Sequence, residues 1–77
     1  MRLDKFLKKS GIIKRRTLAQ EMIEKGLVFL NNKEAKPSSM VKEGDQICVV
    51  FPYKVKLFKV SRLKNDDEIE ILEVKEE

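Results

Sequence analysis

The segment RLDKFLKKSGIIKRRTLAQEMIEKG, residues 2–26, decides how this chain folds. Leu3, Phe6 and Leu7 recur at i, i+3 and i+4 and mark the inward face of a short first helix, with Arg2, Lys5, Lys8 and Lys9 off that face. Ser10-Gly11 closes it, because glycine takes the left-handed backbone that follows a helix end without steric cost. Ile12 and Ile13 run apolar through the connection and plug the gap. A second helix is predicted from near Lys14 to just before Gly26, with Leu18, Ala19, Met22 and Ile23 turned inward. Two short helices joined by so few residues must cross steeply to share one interior. The expected arrangement is an αL-type helix-turn-helix corner.

After Gly26 the period changes. Leu27-Val28-Phe29-Leu30 reads as a strand, and Asn31-Asn32 as a tight turn, since Asn tolerates positive φ better than other non-glycine residues. A short return strand over residues 33–36 ends at Pro37. Glu43-Gly44-Asp45 is a turn into residues 46–51, QICVVF, the most β-branched and apolar run present. Pro52 breaks it. Further strands are expected from about Tyr53 through Val60 and from Ile69 onward, separated by a turn at Asn65-Asp66-Asp67. Phe58 interrupts simple alternation, which points to a bulge or a second buried face. The fold class is therefore α+β: two N-terminal helices packed on a small, mostly antiparallel sheet. Residues 1–77 form one domain in this reading, with no linker or internal repeat.

Charge is distributed unevenly along this framework. Residues 1–42 carry eleven Lys or Arg against four Asp or Glu, whereas residues 43–77 carry six against nine. The formal charge of +4 thus conceals an electropositive N-terminal half and an acidic C-terminal one. Lys14, Arg15 and Arg16 sit at the start of the second helix, where they oppose the helix dipole and gain only if an anion joins them. A dense cationic surface on a packed helix pair suits a phosphate backbone.

Other chemistries have little to work with. There is no His and one Cys, Cys48, so neither a histidine-dependent triad nor a zinc site can be assembled, and no metal or other cofactor is expected. The acids cluster at residues 66–70 and 73–77, where solvated surface is the plain reading, so an enzyme is not expected. A lone Cys in an apolar run excludes a disulfide framework and is read as a buried, inert thiol in a reducing cytoplasm. No apolar run is long enough to span a membrane, and the N-terminus lacks the apolar core of a secretory signal.

Several of these residues together resemble a known family. Arg2-Leu3-Asp4-Lys5-Phe6-Leu7, then Lys14-Arg15-Arg16-Thr17-Leu18-Ala19, Gly26-Leu27-Val28 with Asn31-Asn32, and finally Pro37-Ser38, Val41 and Gly44-Asp45-Gln46-Ile47 look like the S-four RNA-binding domain, over roughly residues 1–50. Stand-alone chains with RLDKFLK followed by KRRTLA resemble the ribosome-associated heat-shock branch of that family and its RqcP branch. The resemblance implies binding to rRNA and tRNA on a large ribosomal subunit that carries stalled peptidyl-tRNA. In the RqcP branch it implies support of alanine tailing with an RqcH-type tailing factor. Two departures stand out: Gly11 replaces a common polar residue, and Asn32 replaces the usual hairpin glycine.

The candidate RNA-binding residues are Arg2, Lys5, Lys9, Lys14, Arg15 and Arg16. Arg16 comes first, because it matches the family's most characteristic basic position and a guanidinium can fork onto phosphate oxygens. Asp4, an acid among cations, is expected to orient an arginine. A monomer acting on RNA shape and backbone is expected, since no aromatics interleave the basic residues. Two rivals are a DNA-binding helix-turn-helix and a basic protein-interaction module. Thr17, Gln20, Glu21 and Glu24 on the outer side of the second helix argue against the first, because two of them are acidic.

Overall fold

Leu3, Phe6 and Leu7 are fully buried, and the helix they define, α1, spans Leu3–Lys9. These are findings from a computed structural model that describes residues 1–76. Ser10 caps the C-terminus of α1 and Gly11 follows at φ +83°, as its sequence position requires. Ile13 is buried in the connection, and its N–H donates to the Leu7 carbonyl at 3.1 Å. Helix α2 spans Arg16–Glu24 and stops at Lys25 and Gly26, the latter at φ +76°. It therefore starts two residues later than expected from near Lys14, because Arg15 is extended (φ −122°, ψ 133°) and serves as the N-cap.

The inward face of α2 also differs from the expected stripe. Ala19 and Ile23 are buried, Met22 is half-buried, and Leu18 is 44 % exposed. The side that meets α1 instead runs Arg16, Ala19, Gln20, Ile23, which is i, i+3, i+4, i+7. The cause is polar: Asp4 is completely buried and draws Arg16 and Gln20 toward α1, which rotates Leu18 outward. Ile23→Ala is accordingly expected to cost about 2 to 5 kcal/mol by opening a cavity, and Leu18→Ala less than about 1 kcal/mol. Urea melts of the two variants check this ordering, and equal midpoints would contradict it.

Five strands follow: β1 (Val28–Leu30), β2 (Lys33–Glu34), β3 (Gln46–Val50), β4 (Val55–Leu63) and β5 (Ile69–Glu76). They make one sheet in the order β2-β1-β3-β4-β5, and every pairing is antiparallel. Asn31 and Asn32 both take positive φ, 52° and 68°, which is the twist a two-residue hairpin needs. The register of β4 against β5 shifts between Leu57 and Phe58, where alternation failed in the sequence, and again between Val60 and Arg62. On the inner face Val28, Ile47, Val49, Phe58 and Val60 join Leu3, Phe6, Leu7, Ala19 and Ile23 in one core. Cys48 alternates with those residues and is half-buried, so the expectation of a fully buried thiol is corrected by the pleat.

The Gly44-Asp45 pair acts as a latch. Asp45 is buried; one carboxylate oxygen accepts from the Lys42 N–H at 2.9 Å and the other from Asn31 Nδ2 at 3.0 Å. Asn31 Oδ1 in turn accepts from the Gln46 N–H at 2.9 Å. The hairpin and the turn before β3 are thereby locked together. Of the acidic stretch at residues 73–77, Glu73 is exposed and Glu77 lies outside the described residues.

Candidate nucleic-acid interface

The site is organised around a carboxylate with no solvent exposure. Arg2 Nε and an Arg2 terminal nitrogen donate to the two Asp4 oxygens at 3.3 and 3.2 Å, a forked pair. Arg16 donates to Asp4 Oδ1 at 3.3 Å, Gln20 Nε2 to Oδ2 at 2.8 Å, and the Lys5 N–H to Oδ1 at 2.7 Å. Asp4 thus ties α1 to the first turn and the second turn of α2. Burial pushes its carboxyl up, but the hydrogen bonds from Gln20, Arg16 and the Lys5 N–H together outweigh burial, leaving it at about 2 against 3.8 for the free group. It carries a full negative charge at neutral pH.

The two arginines are held at their inner edges only. Arg2 is 49 % exposed and Arg16 43 %, so each guanidinium turns N–H groups to solvent while the carboxylate fixes its plane. Arg2 is placed further by the backbone around it. The Leu3 N–H donates to the Ser39 carbonyl at 2.7 Å, the Asp4 N–H to the Pro37 carbonyl at 3.2 Å, and Arg2 bridges to Met40. The carbonyls of Pro37 and Ser39 therefore anchor the start of α1.

The remaining cations spread from this centre. Lys5 pairs with Asp66 in the turn between β4 and β5. Asp66 is pulled below the usual carboxylate range, first by the Lys5 hydrogen bond and further by the Lys5 and Lys9 charges. Lys9 is exposed one turn along α1 from Lys5. Lys14 and Arg15 are exposed in the approach to α2, with no ion pair among the described residues. No side chain caps the start of α2, and its first turn holds no acid, so its N–H groups add partial positive charge to that end. The structure thus brings Arg2, Lys5 and Arg16 together around two acids and places Lys9, Lys14 and Arg15 on flanking exposed positions.

Two members of the cluster escaped the sequence reading. Gln20, expected on the outer side of α2, turns inward to Asp4, and Asp66, expected on plain solvated surface, pairs with Lys5. For Gln20 a signal existed, since it lies one turn after Arg16 and shares its direction. For Asp66 none did, because its partner is 61 residues away.

Comparison with known proteins decides the family. The model for the S4 domain matches residues 1–47, from the start of the chain into β3. The chain belongs to the S4 domain family. The chain is 51 % identical over 65 residues to the RQC P-site tRNA stabilizing factor of Bacillus subtilis, covering 84 % of this chain and 76 % of the relative. A protein of the same name from Streptococcus pneumoniae is 48 % identical over 65 residues, covering 84 % and 74 %. Among solved structures, the solution structure of the hypothetical protein HP1423 superposes with a TM-score of 0.77 at 37 % identity, with both chains fully covered. The trimeric structure of Vibrio cholerae heat shock protein 15 gives a TM-score of 0.79 at 29 % identity, over 94 % of this chain and 81 % of that one. The S4 domain match contains Asp4, Arg16 and Gln20 together with Asp45, so both buried acids lie inside it. The hairpin of β4 and β5 lies beyond it. No helix among the described residues is long and apolar enough to cross a membrane.

Proposed function

We propose that this S4 domain binds rRNA and tRNA on the large ribosomal subunit and stabilises stalled peptidyl-tRNA during ribosome-associated quality control, as a non-catalytic cytoplasmic factor. The observation that carries the reading is the cross-helix cluster in which Asp4 orients Arg2 and Arg16 while leaving both half exposed. A guanidinium already held in place loses less rotamer freedom when it forks onto phosphate. Lys5 and Lys9 extend that surface along α1, and Lys14 and Arg15 extend it to the uncapped start of α2. The curated relatives named as P-site tRNA stabilising factors support tRNA as a partner. Alanine tailing with an RqcH-type factor is the process in which such a role fits. Binding as a monomer fits the reading, since Arg2, Lys5, Lys9, Lys14, Arg15 and Arg16 all come from one copy.

Duplex DNA fits less well. Gln20 is engaged with Asp4, and the outward side of α2 presents Thr17, Glu21 and Glu24. Acids there repel a phosphate-lined groove.

Salt dependence tests the electrostatic core of the proposal. Neutralising about five phosphates gives a slope of log affinity against log salt of magnitude roughly 3.5 to 4.5. Binding to purified large subunits is measured by cosedimentation across a salt series, with duplex DNA as the comparison. A slope near zero, or equal affinity for duplex DNA at matched salt, would reject ribosomal RNA as the target.

A further inference from the structure

The rotation of α2 that brings Gln20 to Asp4 leaves a second apolar stripe, Leu18 and Met22, facing away from α1. Together with Ile12, Leu27, Phe51 and Pro52 it lines an open groove of about 660 Å³ between α2 and the end of β3. Leu18 is 44 % exposed there. An apolar groove of this size in so small a protein marks an interaction surface.

The lining restricts what can occupy it. Lys14 supplies its one charged side chain, and no acidic residue lines it. Arg15 and the uncapped N-terminus of α2 adjoin that lip. A nucleobase would bring ring-edge donors and acceptors into a wall that offers almost nothing to pair with them, and buried groups left unpaired are costly. Aliphatic or aromatic side chains of a polypeptide bury there without that penalty, and a carboxylate beside them meets Lys14.

We propose that this groove docks a segment of a partner protein that presents apolar side chains flanked by Asp or Glu. The inference does not depend on RNA binding. It gives the molecule two adjoining surfaces of different chemistry: guanidinium and ammonium groups on the α1 side for a polyanion, and a cation-lipped apolar slot for a polypeptide. They meet at Lys14.

The test is an NMR titration of the full chain with three synthetic helical peptides of equal length. One has Leu at i, i+3, i+4 and i+7 with Glu between, the second replaces Leu by Ser, and the third replaces Glu by Lys. The Leu/Glu peptide should bind at least tenfold more tightly than either control, with shift changes centred on Ile12, Leu18, Met22 and Phe51. Leu18→Gln should weaken it at least tenfold while leaving large-subunit binding and the melting temperature near wild type. Lys14→Glu should reverse the preference between the Glu and Lys peptides. Equal binding of the Ser/Glu peptide would overturn the proposal, since it would reduce the effect to attraction by the basic face. So would competition at the groove by oligouridine. Sedimentation equilibrium provides the last arm. Exposed Leu72 and Val74 beside Glu70 and Glu73 on β5 have the chemistry proposed for the partner. Self-association that Leu18→Gln abolishes would therefore assign the groove to a second copy and overturn a foreign partner.

Discussion

Asp4→Ala is expected to lower the thermal midpoint by about 15 °C, the consequence of removing about 2 to 4 kcal/mol from a domain of this size. The carboxylate is fully buried and accepts from four residues on two helices, so its removal leaves Gln20 and the Lys5 N–H without partners. Arg2 and Arg16 can hydrate, being half exposed, which keeps the cost below that of stranding a buried charge.

Acid provides the same test without mutation. The Asp4 carboxyl lies at about 2 in the folded chain and at 3.8 in the free group. A carboxyl depressed by folding contributes stability that is fully present above its unfolded value and lost as pH falls through its folded one. The contribution is about 2 kcal/mol, present at neutral pH and lost between roughly pH 4 and pH 2. The gap in melting temperature between wild type and Asp4→Ala should therefore narrow across that window. Calorimetric scans from pH 7 to pH 2 measure it. A gap that stays constant would show that folding does not lower the Asp4 carboxyl.

The second large effect concerns binding. Replacing Arg2 or Arg16 by Ala is expected to weaken association with large ribosomal subunits about tenfold or more each, as charge-assisted hydrogen bonds to phosphate are worth roughly 1.5 to 3 kcal/mol. The double variant should lose on the order of 100-fold, with some departure from additivity because both side chains share Asp4. Arg16→Lys separates charge from geometry. It keeps the cation but cannot fork onto two phosphate oxygens, and should fall between wild type and Arg16→Ala. Cosedimentation gives the affinities, and thermal melts confirm that each variant folds. A folded double variant that cosediments like wild type would remove these residues from the interface.

The elements were largely legible in the chain because their determinants are local. The i, i+3, i+4 spacing of Leu3, Phe6 and Leu7, the glycines at residues 11 and 26, and the paired Asn31-Asn32 each act over a few residues. Each took the conformation its local chemistry favours. The candidate cations were visible for the same reason, since charge density needs no tertiary contact to be read. The face of α2 was less legible. Leu18-Ala19 and Met22-Ile23 supply an apolar pair on each turn, and hydropathy cannot decide which member of each pair turns inward. Asp4 decides it, through hydrogen bonds to Arg16 and Gln20 that lie 12 and 16 residues away.

The two-helix corner, the antiparallel hairpins and the cationic N-terminal half follow from the chain alone, because short-range backbone preferences and net charge set them. The rotation of α2, the coupling of Arg2 to Arg16, the tie from Lys5 to Asp66, and the uncovered groove along Leu18 and Met22 arise only once the helices and sheet are packed. A buried carboxylate must satisfy its oxygens. Meeting that requirement with donors from a second helix outweighs the apolar preference of Leu18, and the surplus apolar surface is left at the outside.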